Sequence, residues 1–256
     1  VFEFIVIVES GADSRTATKL AERVLKEQID WLEPDLIKHI FHWRGLEEGT
    51  EYSCWSDVDK IIDDAKEKIR YKSSRFLGHH NKGVPFKADG AISIKVLKLV
   101  DFLQKTRQIK AVLFIRDLDN QPERREGLEQ ARSEHINRQP QLKIVIGTAN
   151  PKRESWVLNG FIPSNQEEQI LEGIKTRLNF DPCIDSHRLR STSQKEPDRI
   201  RNPKVIVEQL TGKDMKREQQ CWEDTSLKIL RERGVHTGLT AYIQEIEQHL
   251  IPIILS

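Results

Sequence analysis

Residues 112–120 read V-L-F-I-R-D-L-D-N, and the fold turns on how they are read. The five residues Val112 to Arg116, four of them apolar, have the composition of a buried strand. Asp117 and Asp119 follow directly. Side chains two apart on a strand share a face, so both carboxylates project past the strand's end. An apolar strand ending in two acids suits a divalent cation at the carboxyl edge of a parallel sheet, where open α/β sheets bind their ligands. The plainer alternative is a strand leading into a polar turn that contains a helix cap.

A second stretch has the same form. Phe2 to Val8, F-E-F-I-V-I-V, is an apolar strand ending in Glu9-Ser10-Gly11-Ala12-Asp13. Glu9 at the tip of this strand and Asp117 and Asp119 at the tip of the later one would converge in space. Three carboxylates at short range raise one another's pKa unless a cation sits among them. Mg²⁺ suits such a site, since it takes few protein oxygens and keeps the rest of its shell for water or phosphate. A helix is expected from about Ser14 to Gln28, with Ala17, Leu20, Ala21, Val24 and Leu25 on one face. Gly11 allows the tight turn into it. Asp13 or Ser14 is the expected cap, a structural role placed ahead of a metal role for Asp13.

Outward from these two strands, Leu36 to Trp43 reads as another strand, with His39 and His42 on opposite faces and therefore not sharing a metal. Helices are expected over Asp57–Ile69, Ala91–Thr106 and Pro122–Arg138, and a fourth strand over Gln141–Gly147, followed by a short helix through Trp156, Val157 and Leu158. This alternation predicts an α/β fold: a mostly parallel four-stranded sheet flanked by helices over 1–161. A mainly helical C-terminal region, 162–256, is expected to pack on it. Its helices fall at Gln166–Leu178, from Pro203, and over Cys221–Arg231 and Leu239–Leu250, with Asp181–Lys204 a polar loop.

Composition narrows the class. Of the 256 residues 32% are charged and 37% hydrophobic, and no apolar run reaches the length of a membrane span, so no membrane is expected. Cys54, Cys183 and Cys221 are far apart and lack metal spacing, which favours a reducing, cytoplasmic compartment. The chain starts in a strand with no basic leader, so no signal peptide is expected, and Val1 in place of Met points to a trimmed start. A net charge of +1 says nothing about nucleic acid, so a local patch must carry that argument. Lys66 to Lys87 holds seven Lys or Arg against one acid, interleaved with Tyr71, Phe76 and Phe86. Lys72, Arg75, Lys82 and Lys87 are the expected contacts to a nucleic-acid backbone, the alternative being a solvated loop.

Glu9 in E-S-G-A-D together with the later D-L-D resembles the signature of the Toprim family. Toprim is the metal-binding α/β domain of type IA and type II topoisomerases, primases and OLD-type nucleases. An extra Ser precedes the Gly where the family has E-G-x-x-D. The later N-P-K-R-E-S-W-V-L-N-G-F, residues 150–161, resembles a segment of small stand-alone prokaryotic Toprim-like proteins, some found in defence loci. The resemblance covers about residues 2–161. It implies that Glu9, Asp117 and Asp119 hold Mg²⁺ or Mn²⁺, that Glu154 completes a second metal position, and that Trp156 packs its helix on the sheet. The implied activity is metal-dependent phosphodiester hydrolysis of nucleic acid.

The competing reading is a catalytically weak subunit that binds a partner protein or nucleic acid. No Walker A loop is present, so any ATPase would be a partner chain, and a homo-oligomer is left open. A topoisomerase needs a nucleophilic tyrosine, and Tyr52, Tyr71 and Tyr242 have no recognisable winged-helix context. A haloacid-dehalogenase-type phosphatase using Asp117 is disfavoured because Asn120-Gln121 follows the second Asp and the D-x-D is not on the first strand.

Overall fold

The computed structural model describes residues 1–72 and 83–256, and the backbone of 79–80. Strand β1 (Phe2–Val8) leads into helix α1 (Gly11–Gln28). Helix α2 (Pro34–Ile40) runs straight into β2 (Phe41–Arg44), followed by a short β3 (Ser53–Cys54) and α3 (Val58–Lys68). A small hairpin, β4 (His79–His80) and β5 (Val84–Pro85), precedes α4 (Gly90–Leu103). Then come β6 (Ile109–Asp117), α5 (Glu123–Ile136), β7 (Lys143–Ala149) and α6 (Arg153–Asn159). The C-terminal region is helical: α7 (Asn165–Leu178), α8 (Pro203–Thr211), α9 (Met215–Glu223), α10 (Leu227–Arg233), α11 (Leu239–His249) and α12 (Ile251–Ile254).

The main sheet is parallel throughout, in the order β2-β1-β6-β7, and β3 continues the line of β2 along the upper half of β1. The alternation of strand side chains sorts the core into two layers. Phe4, Val6, Val8, Leu113 and Val145 face α1 and the C-terminal helices. Ile5, Ile7, Val112, Phe114 and Ile146 face α3, α4 and α5. Helices therefore cover both faces, as a parallel sheet requires.

The expected α/β architecture is what forms, with local corrections. Leu36 to Ile40 is helix, and only Phe41 to Arg44 is strand. Pro34 at the first helical position and Asp35 in the first turn start that helix, and His39 lies on it, away from the strand that carries His42. Helix α1 begins three residues early because Ser10, not Asp13 or Ser14, is its cap: the Ser10 side chain accepts the Asp13 N–H. The single helix expected over Cys221–Arg231 is two, broken at 224–226, where Ser226 caps the second. Of the basic-loop residues, Lys72 and Lys87 are exposed, whereas Arg75 and Lys82 lie outside the described residues.

Candidate functional site

Glu9 directly follows β1, and Asp117 is the last residue of β6, the strand beside it, so both stand at the same carboxyl edge. Asp13 sits in the first turn of α1, and Glu154 is the second residue of α6, just beyond β7. These four acids line one cleft of about 470 Å³. The far wall comes from the C-terminal region, through Thr192, Gln194, Asn202 and Lys204.

The cleft holds its acids under electrostatic stress. Burial pushes the Asp117 carboxyl well above the ordinary carboxylate range, and the nearby charges of Asp13, Glu9 and Glu154 push it further. The Arg153 N–H at 2.9 Å from Asp117 Oδ1 opposes that rise. Glu9 is also raised, first by burial and against the pull of Arg116. Its buried Oε1 lies 3.0 Å from Arg116 Nη1 but accepts no hydrogen bond. Asp13, only 7% exposed, is raised by burial although the Ser10 hydroxyl donates to its Oδ2 at 2.5 Å.

Asp119 is held differently. It sits in a left-handed turn with φ of 47°. Lys152 Nζ is 2.8 Å from one carboxylate oxygen and Arg124 Nη1 2.9 Å from the other. Burial opposes ionisation there, yet these two cations prevail and hold the carboxyl below its usual range. Asp119 is thus close enough to raise Glu9 but is not part of the cleft wall. The structure brings Glu9, Asp117 and Glu154 together and sets Asp119 to one side, bound to two bases.

Arg116, Arg124, Lys152 and Arg153, with Asp89 and Glu218, complete the site, and sequence reading assigned none of these six to it, nor Asp13 to the cleft wall. Arg116 pairs with Glu9 and, through Nε at 2.8 Å, with Asp89 at the start of α4. Arg124 donates to the Asp117 carbonyl at 2.7 Å as well as to Asp119. Arg153 is buried and reaches Glu218 of α9 at 2.6 Å, Glu154 at 3.6 Å and Asp13 at 3.7 Å. The signal available for Asp13 was its place four residues after Glu9, in the first turn of the helix leaving that strand. The signal for Lys152 and Arg153 was their adjacency to Glu154.

Among the described residues, no three His, Cys, Asp or Glu side chains are gathered closely enough to hold a metal ion as they stand. The chemistry of the donor set does fit one. Glu9, Asp13, Asp117 and Glu154 offer only carboxylate oxygens, the donors hard divalent cations prefer, and three of the four have their charged forms disfavoured. A cation among them reverses that penalty. Trp156, beside these residues on α6, is buried and stacks on Tyr242 of α11 with ring centroids 5.2 Å apart. No family model matches this chain, nor does any curated protein or solved structure.

Proposed function

We propose that the chain is a Toprim-type nuclease, hydrolysing phosphodiester bonds of nucleic acid with Mg²⁺ or Mn²⁺, in the manner of stand-alone prokaryotic Toprim-like proteins of defence systems. The observation that carries this reading is Asp117: a half-buried carboxylate at the end of a central strand, set among Glu9, Asp13 and Glu154, and strongly disfavoured as an anion without a cation beside it. Glu9 and Asp117 would hold the ion with Asp13 and Glu154. Asp119 would serve through Lys152 and Arg124, keeping those cations beside the cleft. When bound, the metal would polarise a phosphate oxygen and lower the pKa of a water. Arg153 positions Asp117 through its backbone N–H and balances Asp13 and Glu154 through its guanidinium.

The subunit reading has one observation in its favour. Glu9 and Asp119 are already paired with arginine and lysine, as in a purely structural ion network. One experiment separates the two: cleavage of labelled single- and double-stranded DNA and RNA with Mg²⁺, with Mn²⁺ and with EDTA. The expected result is metal-dependent cutting that falls by on the order of 100-fold or more in both Asp117→Asn and Glu9→Gln. A folded protein that cuts none of these substrates with either metal sinks the nuclease reading and favours the subunit.

A further inference from the structure

An acidic cleft repels a polyanion, so a nucleic acid can reach it only if a neighbouring surface holds the backbone. We propose that an arginine-lined groove in segment 188–204 is that surface: it grips successive phosphates of a nucleic-acid strand and leads them to the carboxylate cleft. What happens to the strand at the acids rests on the nuclease reading; the grip rests on its own geometry.

A second cleft, of about 560 Å³, is lined by Arg188, Arg190 and Arg201 together with the hydroxyl residues Ser191, Thr192 and Ser193. Thr192 also lines the carboxylate cleft, so the two clefts meet at that residue. Guanidinium groups beside hydroxyls are the donor set that phosphate oxygens take. The segment is basic out of proportion to the chain: residues 188–204 carry six Lys or Arg and two acids, whereas the whole protein has a net charge of +1.

The three arginines are exposed. Arg190 and Arg201 have no carboxylate partner among the described residues. Asp198 lines the same cleft, one acid against three guanidinium groups, and no ion pair joins it to them. Arg188 lies over the Phe180 ring at 4.1 Å, with Asp185 at 3.8 Å. Among the described residues the Arg190 guanidinium donates to the neutral Asn120 side chain alone, at 3.2 Å, in the turn that follows Asp117. That contact ties the groove to the site's own loop.

The groove is also held in place. The Ser191 N–H donates to the Arg201 carbonyl at 3.0 Å and closes the neck of the loop, with Arg190 and Arg201 both on the cleft it forms. Asn202 Nδ2 donates to the Ser193 carbonyl at 3.0 Å from inside that neck. Beyond it, Lys204 is exposed on the wall of the carboxylate cleft, so positive charge runs from Arg188 to the acids. The contacts are to backbone chemistry alone, and the grip is independent of base sequence.

The test is fluorescence anisotropy in EDTA, where no metal-dependent cutting occurs, with labelled ssDNA, ssRNA and duplex DNA of ~20 nucleotides, whose comparison says which backbone is preferred. The double variant Arg190→Glu/Arg201→Glu is expected to weaken binding at least about tenfold and to flatten the log–log salt slope by about 1 to 2. Arg190→Gln/Arg201→Gln gives a smaller loss of the same sign, and an unchanged melting temperature in both shows that the fold is intact. Unaltered binding and salt slope in the double variants, or no binding of any probe by the wild type, overturns the groove. Arginine-dependent binding without metal-dependent cutting keeps the groove and removes the nuclease reading. Cutting that survives both arginine pairs at wild-type affinity does the reverse.

Discussion

Asp101 on α4 and His135 on α5 face each other at 3.3 Å, yet neither Asp101 Oδ1 nor His135 Nε2 has a hydrogen bond. Burial pushes the Asp101 carboxyl up to about 6 against the pull of Arg138, and burial with Arg138 pushes His135 down to about 4. The two are therefore not an ion pair at neutral pH. A carboxyl whose folded pKa is raised contributes stability that is present below its unfolded value and lost as pH rises through about 6. An imidazole whose folded pKa is depressed contributes stability that is present above its unfolded value and lost as pH falls towards about 4. Asp101→Asn fixes the neutral form, so it should gain about 0.5–1 kcal/mol on the wild type between pH 5 and pH 8, less than full linkage because the carboxyl is partly exposed. Urea melts of both proteins at the two pH values check this, and a pH-independent difference would refute it. Residues of this kind were illegible in the sequence, because their chemistry depends on which helix faces which. Glu9 and Asp117 could be placed at one edge because strand ends announce themselves through composition. Asp13 could not be promoted from capping to the cleft wall, because that depends on where the capping hydroxyl falls, one turn earlier at Ser10.

Helix α11 does for strand β7 what a further strand would do. β7 is an edge strand of the sheet, and the outward N–H groups of an edge strand, if uncovered, can pair with another chain. Glu245 accepts the Ile146 N–H at 3.2 Å and pairs with Arg132 of α5 at 2.6 Å. One turn earlier Tyr242 lies against Gly147, where a Cβ would come within 2.7 Å of its ring. Tyr242 then passes its hydroxyl to the Ala17 carbonyl at 2.9 Å, joining α11 to α1. Glu245→Ala leaves the Ile146 N–H without an acceptor and should cost about 1–3 kcal/mol. Glu245→Gln, which keeps an acceptor, should cost less. The check is the shift in urea midpoint at constant m-value, with light scattering for edge-to-edge association of the Ala variant. Equal stability of Glu245→Ala and the wild type would show that the edge needs no such cover. The apolar periodicity of α11 was readable, but Glu245 looked like any solvated acid between Ile243 and Ile246. The misread second strand has a related cause. Leu36, Ile37, Ile40 and Phe41 suit either period, and Pro34 settled the choice for helix.

At the scale of the molecule, the C-terminal helices are part of the same core as the sheet. One apolar cluster runs without a break from Phe4, Val6 and Leu113 on the strands, through Leu20 and Val24 of α1 and Trp156 of α6, to Leu210, Trp222, Leu230, Tyr242 and Ile246. Polar contacts cross the same boundary. Arg23 donates to the Trp222 and Thr225 carbonyls, Trp156 Nε1 to the Thr237 carbonyl at 2.9 Å, and Arg153 meets Glu218 at 2.6 Å. A fragment ending at Phe161 would keep every strand and every cleft acid. It would also leave α1 and the short α6 alone on one face of a parallel sheet, stripping α11 from β7, and such sheets are stable only when both faces are covered. Several of the large side chains that remain would pass to water, each at about 1.5–3 kcal/mol, a sum comparable to the whole stability of an ordinary domain. The fragment 1–161 is therefore expected to lack a cooperative thermal transition and to bind a hydrophobic dye, while the full chain melts cooperatively. A fragment that melts cooperatively would mean that the C-terminal region is an attachment, and that the cleft wall it supplies at Thr192 and Lys204 serves the substrate alone.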